Sequence, residues 1–249
     1  MQIILLVVSG FLSGAIGALM GLGGGIILVP ILTLIFDLPV SEAVGTSLLG
    51  VVAVSTAAAV DYLKTGRAEL ELGMTLETIT VAGALTGGFL SGLIPYQIIY
   101  LLFGAVLIYA AYSMARPRKK DTETGAGKYP KNESVGMGLS FLAGNVSSLL
   151  GVGGGVIKVP VMNLIMGVPL KIATATSNYM VGITAASGAV IYLLRGDIDL
   201  NKASAIIIGI FAGSRLGVFF SYRINILALR VLFAAVMLFT AFKMIMKGL

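Results

Sequence analysis

The chain has 249 residues, of which 57% are hydrophobic and 11% are charged, with a net charge of +6 and a mean hydropathy of +1.01. Soluble domains carry about 25% charged residues, so this composition excludes an ordinary water-soluble domain. Cysteine and histidine are absent. Disulfides, Cys/His metal sites and thiolate or imidazole catalysis are therefore excluded, and no cofactor or metal is expected.

Apolar stretches follow one another along the chain and are predicted to form its helices. They cover residues 2–20, 26–36, 42–62, 74–93, 96–115, 135–150, 156–166, 172–194, 202–222 and 225–246. About 20 apolar residues are long enough to cross a hydrocarbon layer of about 30 Å. The sequence therefore predicts an all-α, polytopic integral membrane protein whose surroundings are the lipid bilayer.

Two glycine-rich segments indicate an internal duplication. Residues 21–30 (GLGGGIILVP) return as residues 151–160 (GVGGGVIKVP), an offset of 130 residues. Without any insertion, the same offset pairs Gly14 with Gly144, Pro39 with Pro169, Tyr62 with Tyr192, Gly83 with Gly213, and Gly87 with Gly217. We therefore predict a first repeat over 1–115, a linker over 116–134 and a second repeat over 135–249.

The linker is the only stretch polar enough to be solvated. Residues 116–133 contain six basic and three acidic side chains, which is half of the net charge. Basic loops are enriched on the cytoplasmic side, so we predict a cytoplasmic linker in a multi-pass protein of a prokaryotic inner or plasma membrane. A nucleic-acid partner is not indicated, because it would need a basic face with interleaved aromatic residues on a soluble fold.

The stretches 26–36 and 156–166 are too short to cross a bilayer. Eleven residues at about 1.5 Å each reach roughly half of its thickness. Each stretch follows three consecutive glycines and contains a proline, which predicts one broken or re-entrant half-helix in each repeat beside about four spanning helices. Paired interruptions at matching positions of two halves are a sequence indicator of a transport site.

Two arrangements of the repeats stay open. With four crossings each, the repeats are parallel and Lys243 and Lys247 are cytoplasmic. If the short stretch counts as a fifth crossing, the repeats are inverted and the C-terminal tail lies outside. The distribution of basic residues favours four crossings, and the sequence does not indicate an oligomeric state.

The glycine segments and the residues after them resemble the sulfite exporter TauE/SafE family, also called TSUP or DUF81. The shared pattern is Gly-x-Gly-Gly-Gly-x-x-x-Val-Pro followed by Ala-x-x-Thr-Ser, here Ala43 to Ser47 and Ala173 to Ser177. The resemblance extends over essentially the whole chain. It implies a membrane transporter, not an enzyme, that moves small sulfur-containing anions such as sulfite, sulfoacetate or thiosulfate.

The glycine breaks are the first candidates for binding such an anion. A helix that begins inside the membrane directs unpaired N–H groups, and about half a positive charge, at whatever lies before it. Glycine lets an oxyanion approach the backbone closely, although close helix packing is the alternative role. The candidate residues are Gly23, Gly24, Gly25, Gly153, Gly154 and Gly155.

Hydroxyl and amide side chains near the breaks are the second group of candidates. They are Thr46, Ser47, Thr176, Ser177 and Asn178. They are able to donate hydrogen bonds to an oxyanion, and for the hydroxyls the alternative is a bond to the carbonyl four residues earlier in their own helix.

Two cations of the second repeat replace leucines of the first. Lys158 corresponds to Leu28, and Arg215 corresponds to Leu85. A charge within a membrane span usually faces a partner or a cavity, so both are candidates for binding the anion, and snorkelling to the interface is the alternative. Apart from Glu42 and Asp61 at span ends, the sequence indicates no acid within the spans. Coupling to protons or sodium therefore stays open.

Other functional classes fit less well. A Ser–His hydrolase is impossible without histidine, no pair of mid-span aspartates exists, and only a Ser–Lys pair of Ser147 or Ser148 with Lys158 remains formally open. The glycines do not match the nucleotide-binding pattern Gly-x-Gly-x-x-Gly. We predict a secondary transporter that alternates access around a site between the repeats. An anion channel or a non-transporting membrane partner subunit is the alternative.

Overall fold

The structure is a computed structural model that describes residues 2–20, 23–64, 69–115, 132–220 and 226–249. These residues form helices and connecting turns, which confirms the all-α class. The helices are α1 (Gln2–Met20), α2 (Gly25–Leu34), α3 (Val40–Lys64), α4 (Leu70–Leu90), α5 (Tyr96–Ala115), α6 (Glu133–Leu150), α7 (Gly155–Pro160), α8 (Leu170–Leu194), α9 (Leu200–Phe220) and α10 (Ile226–Gly248). Most of the predicted linker lies outside the described residues.

The helices expose large apolar side chains on their outer faces. Ile208 of α9 is 65% exposed, and Phe239 and Phe242 of α10 are 64% and 61% exposed. Soluble monomers rarely expose large contiguous apolar surfaces. In the described part of the chain, two stretches are long and apolar enough to cross a membrane by length and composition alone, Val40–Ala57 and Ile172–Leu194.

The two short helices begin at the third glycine of each segment, one residue before the predicted starts. Gly23 and Gly24 have φ angles of 80° and 77°, and Gly153 and Gly154 have φ angles of 78° and 77°. Because side chains with a Cβ rarely adopt this left-handed conformation, the glycines allow the sharp turn. After Pro160, α7 continues as one π-helical turn, Val161–Ile165, whereas α2 stays α-helical past its counterpart Pro30.

Each repeat packs its first helix against the fourth helix of the other repeat. A Cβ atom on Gly14 of α1 would lie 2.8 Å from Ile210 Cα of α9, and one on Gly144 of α6 would lie 2.1 Å from Thr80 O of α4. Gly14 and Gly144, and likewise Thr80 and Ile210, are related by the 130-residue offset. Glycines at these positions let the helix backbones touch, so the two halves interlock.

Corresponding helices of the two repeats run antiparallel. Along α3 and α8, Gly45 lies against Tyr192, Leu48 against Gly188, and Ser55 against Gly182, so one residue number rises as the other falls. α5 and α10 are antiparallel as well, because Gly104 lies against Ile245 and Gly248 lies against Tyr100. This is the inverted arrangement, which the charge distribution did not favour.

Lys247 is one of the two C-terminal lysines on which the charge argument depended, and it is bound within the protein. Lys247 Nζ lies 3.3 Å from Asp37 Oδ1 and donates a hydrogen bond of 2.8 Å to the carbonyl of Thr33. The positive-inside rule is a bias of basic residues counted over the loops, so two lysines at one end of the chain do not determine the orientation of a repeat.

Candidate functional site

The two glycine breaks meet at one place in the core. A Cβ atom on Gly23 would lie 3.0 Å from Val51 Cγ1 and 2.9 Å from Val181 Cγ1. One on Gly153 would lie 2.6 and 2.7 Å from the same two atoms. Val51 and Val181 are buried and are themselves separated by 130 residues. Both breaks therefore lie at the centre of the inverted pair, where α3 crosses α8.

The breaks also contact each other directly. A Cβ atom on Gly25 would lie 2.1 Å from the carbonyl oxygen of Gly151 and 3.0 Å from Ser47 Oγ. Ser47 Oγ donates a 2.8 Å hydrogen bond to that same carbonyl. In this conformation Gly25 therefore serves close packing, one of the two roles that the sequence allowed.

The amide groups of each break are arranged alike. In α2, the N–H groups of Ile27 and Leu28 both donate to the carbonyl of Gly24. In α7, those of Ile157 and Lys158 both donate to the carbonyl of Gly154. The N–H groups that precede them have no partner within their own helix and point back toward the break, as at any helix start.

The polar residues after the breaks do not all make the local bonds expected of membrane-helix hydroxyls. Ser47 bonds across to Gly151, and Thr176 Oγ1 accepts a 2.9 Å hydrogen bond from the backbone N–H of Glu69. Asn178 Nδ2 does donate locally, to the carbonyl of Thr174 at 3.1 Å.

Several buried hydroxyls on helices α1, α3, α6 and α8 lack a hydrogen-bond partner among the described residues. They are those of Ser13, Thr46, Ser147, Ser148 and Ser177. Ser177 is the repeat counterpart of Ser47, and Ser147 Oγ lies 3.5 Å from the Cβ position of Gly154. A buried hydroxyl without a partner costs about 1–3 kcal/mol. These groups are therefore available to a ligand with acceptor oxygens.

Lys158 lies in a buried polar cluster with Glu77 of α4 and Thr184 of α8. Its Nζ is 2.7 Å from Glu77 Oε2 and donates to Thr184 Oγ1 at 2.5 Å, while the threonine hydroxyl donates to Glu77 Oε1 at 2.5 Å. Lys158 is 1% exposed and Glu77 is 4% exposed. The predicted free cation is thus neutralised by a carboxylate in this conformation.

Glu77 corrects the prediction that acids occur only at span ends. The predicted helix began at residue 74, which would have put Glu77 in its first turn, but α4 begins at Leu70 and places Glu77 two turns inside. Comparison of the repeats contained the signal. Glu77 corresponds to Ile207 and Thr184 to Val54, just as Lys158 corresponds to Leu28.

Arg215 is not brought to this buried cluster. It is exposed on α9, and its repeat counterpart Leu85 is likewise exposed, on α4. The helical face that carries Leu85 in α4 and Arg215 in α9 is therefore the outer face in both repeats. Of the predicted site residues, the structure brings together the glycines of the two breaks and Ser47, and Lys158 lies in the short helix that begins at Gly155. Thr176 lies instead against Glu69 and Gly73 at the start of α4, and Arg215 lies outside.

Comparison with known proteins gives a consistent family match. The profile described as "Sulfite exporter TauE/SafE" matches residues 6–244. The "Probable membrane transporter protein YunE" of Bacillus subtilis is 28% identical, with 100% of this chain and 99% of that protein aligned. A "Probable membrane transporter protein" of Methanocaldococcus jannaschii is 30% identical over 94% of this chain and 91% of that protein.

A plant relative is similar over a shorter region. The "Sulfite exporter TauE/SafE family protein 6" of Arabidopsis thaliana is 35% identical over 34% of this chain and 20% of its own length. No solved structure matches the chain.

Proposed function

Because the chain belongs to the sulfite exporter TauE/SafE family of membrane transporters, we propose that it is a secondary transporter of small sulfur-containing anions. The transported anion binds between the two repeats, and access alternates between the two sides of a cell membrane that the chain crosses several times. The observation that carries this proposal is the meeting of both glycine breaks on Val51 and Val181.

The chemistry around the breaks fits a small oxyanion. α2 and the helix that begins at Gly155 turn their free amide groups toward the centre, and such groups bind anions. Among the described residues the hydroxyls of Thr46 and Ser177 have no hydrogen-bond partner, and they lie on α3 and α8, one in each half. Together with Thr176, Asn178 and, once it is released from the Gly151 carbonyl, Ser47, they donate hydrogen bonds to the oxygens of sulfite, thiosulfate or a sulfonate.

The packing at the breaks supports alternating access. Gly25 touches Gly151 with no room for a methyl group, so this conformation is closed at the centre. Inverted halves can exchange conformations with each other, which opens the same site first to one side and then to the other. Separation of the two breaks would expose the amides and hydroxyls to a substrate.

An uptake screen in proteoliposomes tests the proposal. Purified protein is reconstituted and offered radiolabelled sulfite, thiosulfate, sulfate, sulfoacetate and taurine, with protein-free liposomes as the control for leak. We expect saturable uptake of at least one sulfur anion, accelerated by unlabelled anion on the opposite side, which is the signature of a carrier that alternates.

The alternatives give different results in the same assay. A channel would show flux that does not saturate and is not accelerated by anion on the far side. A non-transporting partner subunit would show no flux above that of protein-free liposomes. Either result would contradict the proposed function.

A further inference from the structure

The polar cluster of Glu77, Lys158 and Thr184 has an apolar counterpart in the same chain. The 130-residue offset relates its members to Ile207, Leu28 and Val54. Leu28 and Val54 are 1% and 0% exposed, and Ile207 packs against the same hydrophobic core.

The fold does not require charge at these positions. Burial of two ions costs several kcal/mol each in lost hydration, and apolar replacements of a buried ion pair are often neutral or stabilising. The counterpart formed by Leu28, Val54 and Ile207 shows that such a site can be built from leucine, valine and isoleucine. Packing alone therefore does not account for the ion pair of Glu77 in the first repeat with Lys158 in the second.

The cluster lies beside the central break. Lys158 is in the first turn of α7, where its N–H donates to the carbonyl of Gly154 at 3.0 Å. Thr184 follows Val181, the residue that contacts Gly153, by one helical turn. A group that binds at the opened break would therefore be within reach of the lysine.

The helices around the cluster carry few other titratable groups. On α4, α6, α7 and α8 the remaining ones with described side chains are Glu71 and Glu133 in first turns, and Tyr179 and Tyr192 on α8. Tyr192 donates to the carbonyl of Ser148 at 3.0 Å. In the described part of the chain, none of the four forms a hydrogen bond or ion pair with the cluster.

We propose that Glu77 is a built-in counter-anion, which the transported anion displaces from Lys158 as Glu77 takes up a proton, so that anion and proton move together. This inference rests on the proposed function and names its coupling ion. In the empty state the Glu77 carboxylate pairs with the Lys158 ammonium. A proton from the water on the open side adds to a carboxylate oxygen, and the anion takes the carboxylate's place on the ammonium.

Charge balance sets the ratio of protons to anions. The empty cluster is neutral, with one carboxylate and one ammonium. After proton uptake and binding of a monovalent anion it is again neutral, with one carboxylic acid, one ammonium and one bound anion. A site this deeply buried strongly disfavours net charge, so one proton accompanies each monovalent anion. Thr184 is a positioning residue, because its hydroxyl holds both charged groups in place.

The test uses methanesulfonate, a monovalent anion that does not itself bind protons near neutral pH. Wild-type proteoliposomes that are about one pH unit more acidic outside should accumulate methanesulfonate about tenfold, because one coupled proton transmits the whole gradient. A pH-sensitive dye inside should show acidification that depends on the anion.

Glu77→Gln imitates the protonated side chain and should separate anion movement from proton movement. In this variant we expect the ratio of internal to external methanesulfonate to fall to about one, while exchange of labelled for unlabelled anion continues. Glu77→Asp, which restores a titratable group, should recover accumulation. An unchanged accumulation ratio in Glu77→Gln would overturn the inference.

A measurement on the wild type covers the case in which Glu77→Gln does not fold. Infrared difference spectra on addition of the anion should show a new protonated-carboxyl band, and its absence would overturn the inference. Anion uptake without proton movement would defeat the inference alone and leave the proposed function standing. Absence of uptake of every sulfur anion would defeat both.

Discussion

The backbone of Gly25 packs directly on the carbonyl oxygen of Gly151, which joins the break of the first repeat to that of the second. A Cβ atom on Gly25 would lie 2.1 Å from this oxygen and 3.0 Å from Val152 Cα, and both are backbone atoms, which cannot rotate away. The contact is therefore intolerant of any side chain and holds the closed conformation together.

Gly25→Ala should destabilise the protein by about 1–3 kcal/mol or prevent its accumulation, because the added methyl group overpacks a rigid contact. Thermal unfolding of the purified protein in detergent measures the effect. The matched control is Gly138→Ala on α6, where a Cβ atom would meet nothing within 4 Å. The control should be neutral or slightly more stable, since alanine favours helix. Equal stability of the two variants would contradict the packing described here.

Gly153→Ala should also destabilise the protein, and truncation of the two valines that its methyl group meets should restore part of the lost stability. Its methyl group would meet the side chains of Val51 and Val181 at 2.6 and 2.7 Å, and its left-handed backbone adds strain of about 1–2 kcal/mol. Truncation of both valines to alanine in the Gly153→Ala background should recover the steric part alone. A double-mutant cycle on unfolding temperature measures this coupling, and strict additivity would refute the shared contact.

The polar cluster of Glu77, Lys158 and Thr184 gives a prediction about protein stability that is measured separately from transport. Lys158→Leu alone leaves Glu77 buried without its partner and should destabilise the protein by about 3–5 kcal/mol. The triple variant Glu77→Ile, Lys158→Leu, Thr184→Val copies the apolar counterpart formed by Ile207, Leu28 and Val54. It should be about as stable as the wild type and transport no anion.

Unfolding in detergent and uptake in proteoliposomes check the two halves of this prediction. A triple variant that unfolds as easily as Lys158→Leu would show that the protein needs these polar groups for its structure. Uptake by a well-folded triple variant would show that the cluster has no part in transport.

The helices and their breaks were predictable because they depend on local sequence. Apolar length sets the spans, and three consecutive glycines set the starts of α2 and α7. The pairing of Glu77 with Lys158 was not predictable in this way, since it joins residues 81 positions apart. It depends on how α4 lies against α7 and α8, and no local pattern encodes that.

Arg215 shows that local sequence also does not predict which way a helical side chain points. Its replacement of Leu85 marked it as a candidate, but which face of α9 points inward is set by packing against α1. Because Arg215 is exposed, we expect Arg215→Leu to keep uptake within about twofold of the wild type, whereas Lys158→Leu should abolish it. Initial rates in proteoliposomes compare the two, and loss of uptake in Arg215→Leu would restore this residue to the site.

The inverted arrangement predicts on which side of the membrane each end lies, and the chain is suited to the test because it contains no cysteine. Single cysteines at Gln97, at the start of α5, and at Leu249, after α10, should react with an impermeant thiol reagent from the same side, since these ends lie together across α5 and α10. A cysteine at Ser134, at the start of α6, should react only from the opposite side. The control is the same labelling after detergent permeabilisation, when all three should react. Labelling of Leu249 and Ser134 from one side would require parallel repeats, and the shared centre at Val51 and Val181 would then be wrong.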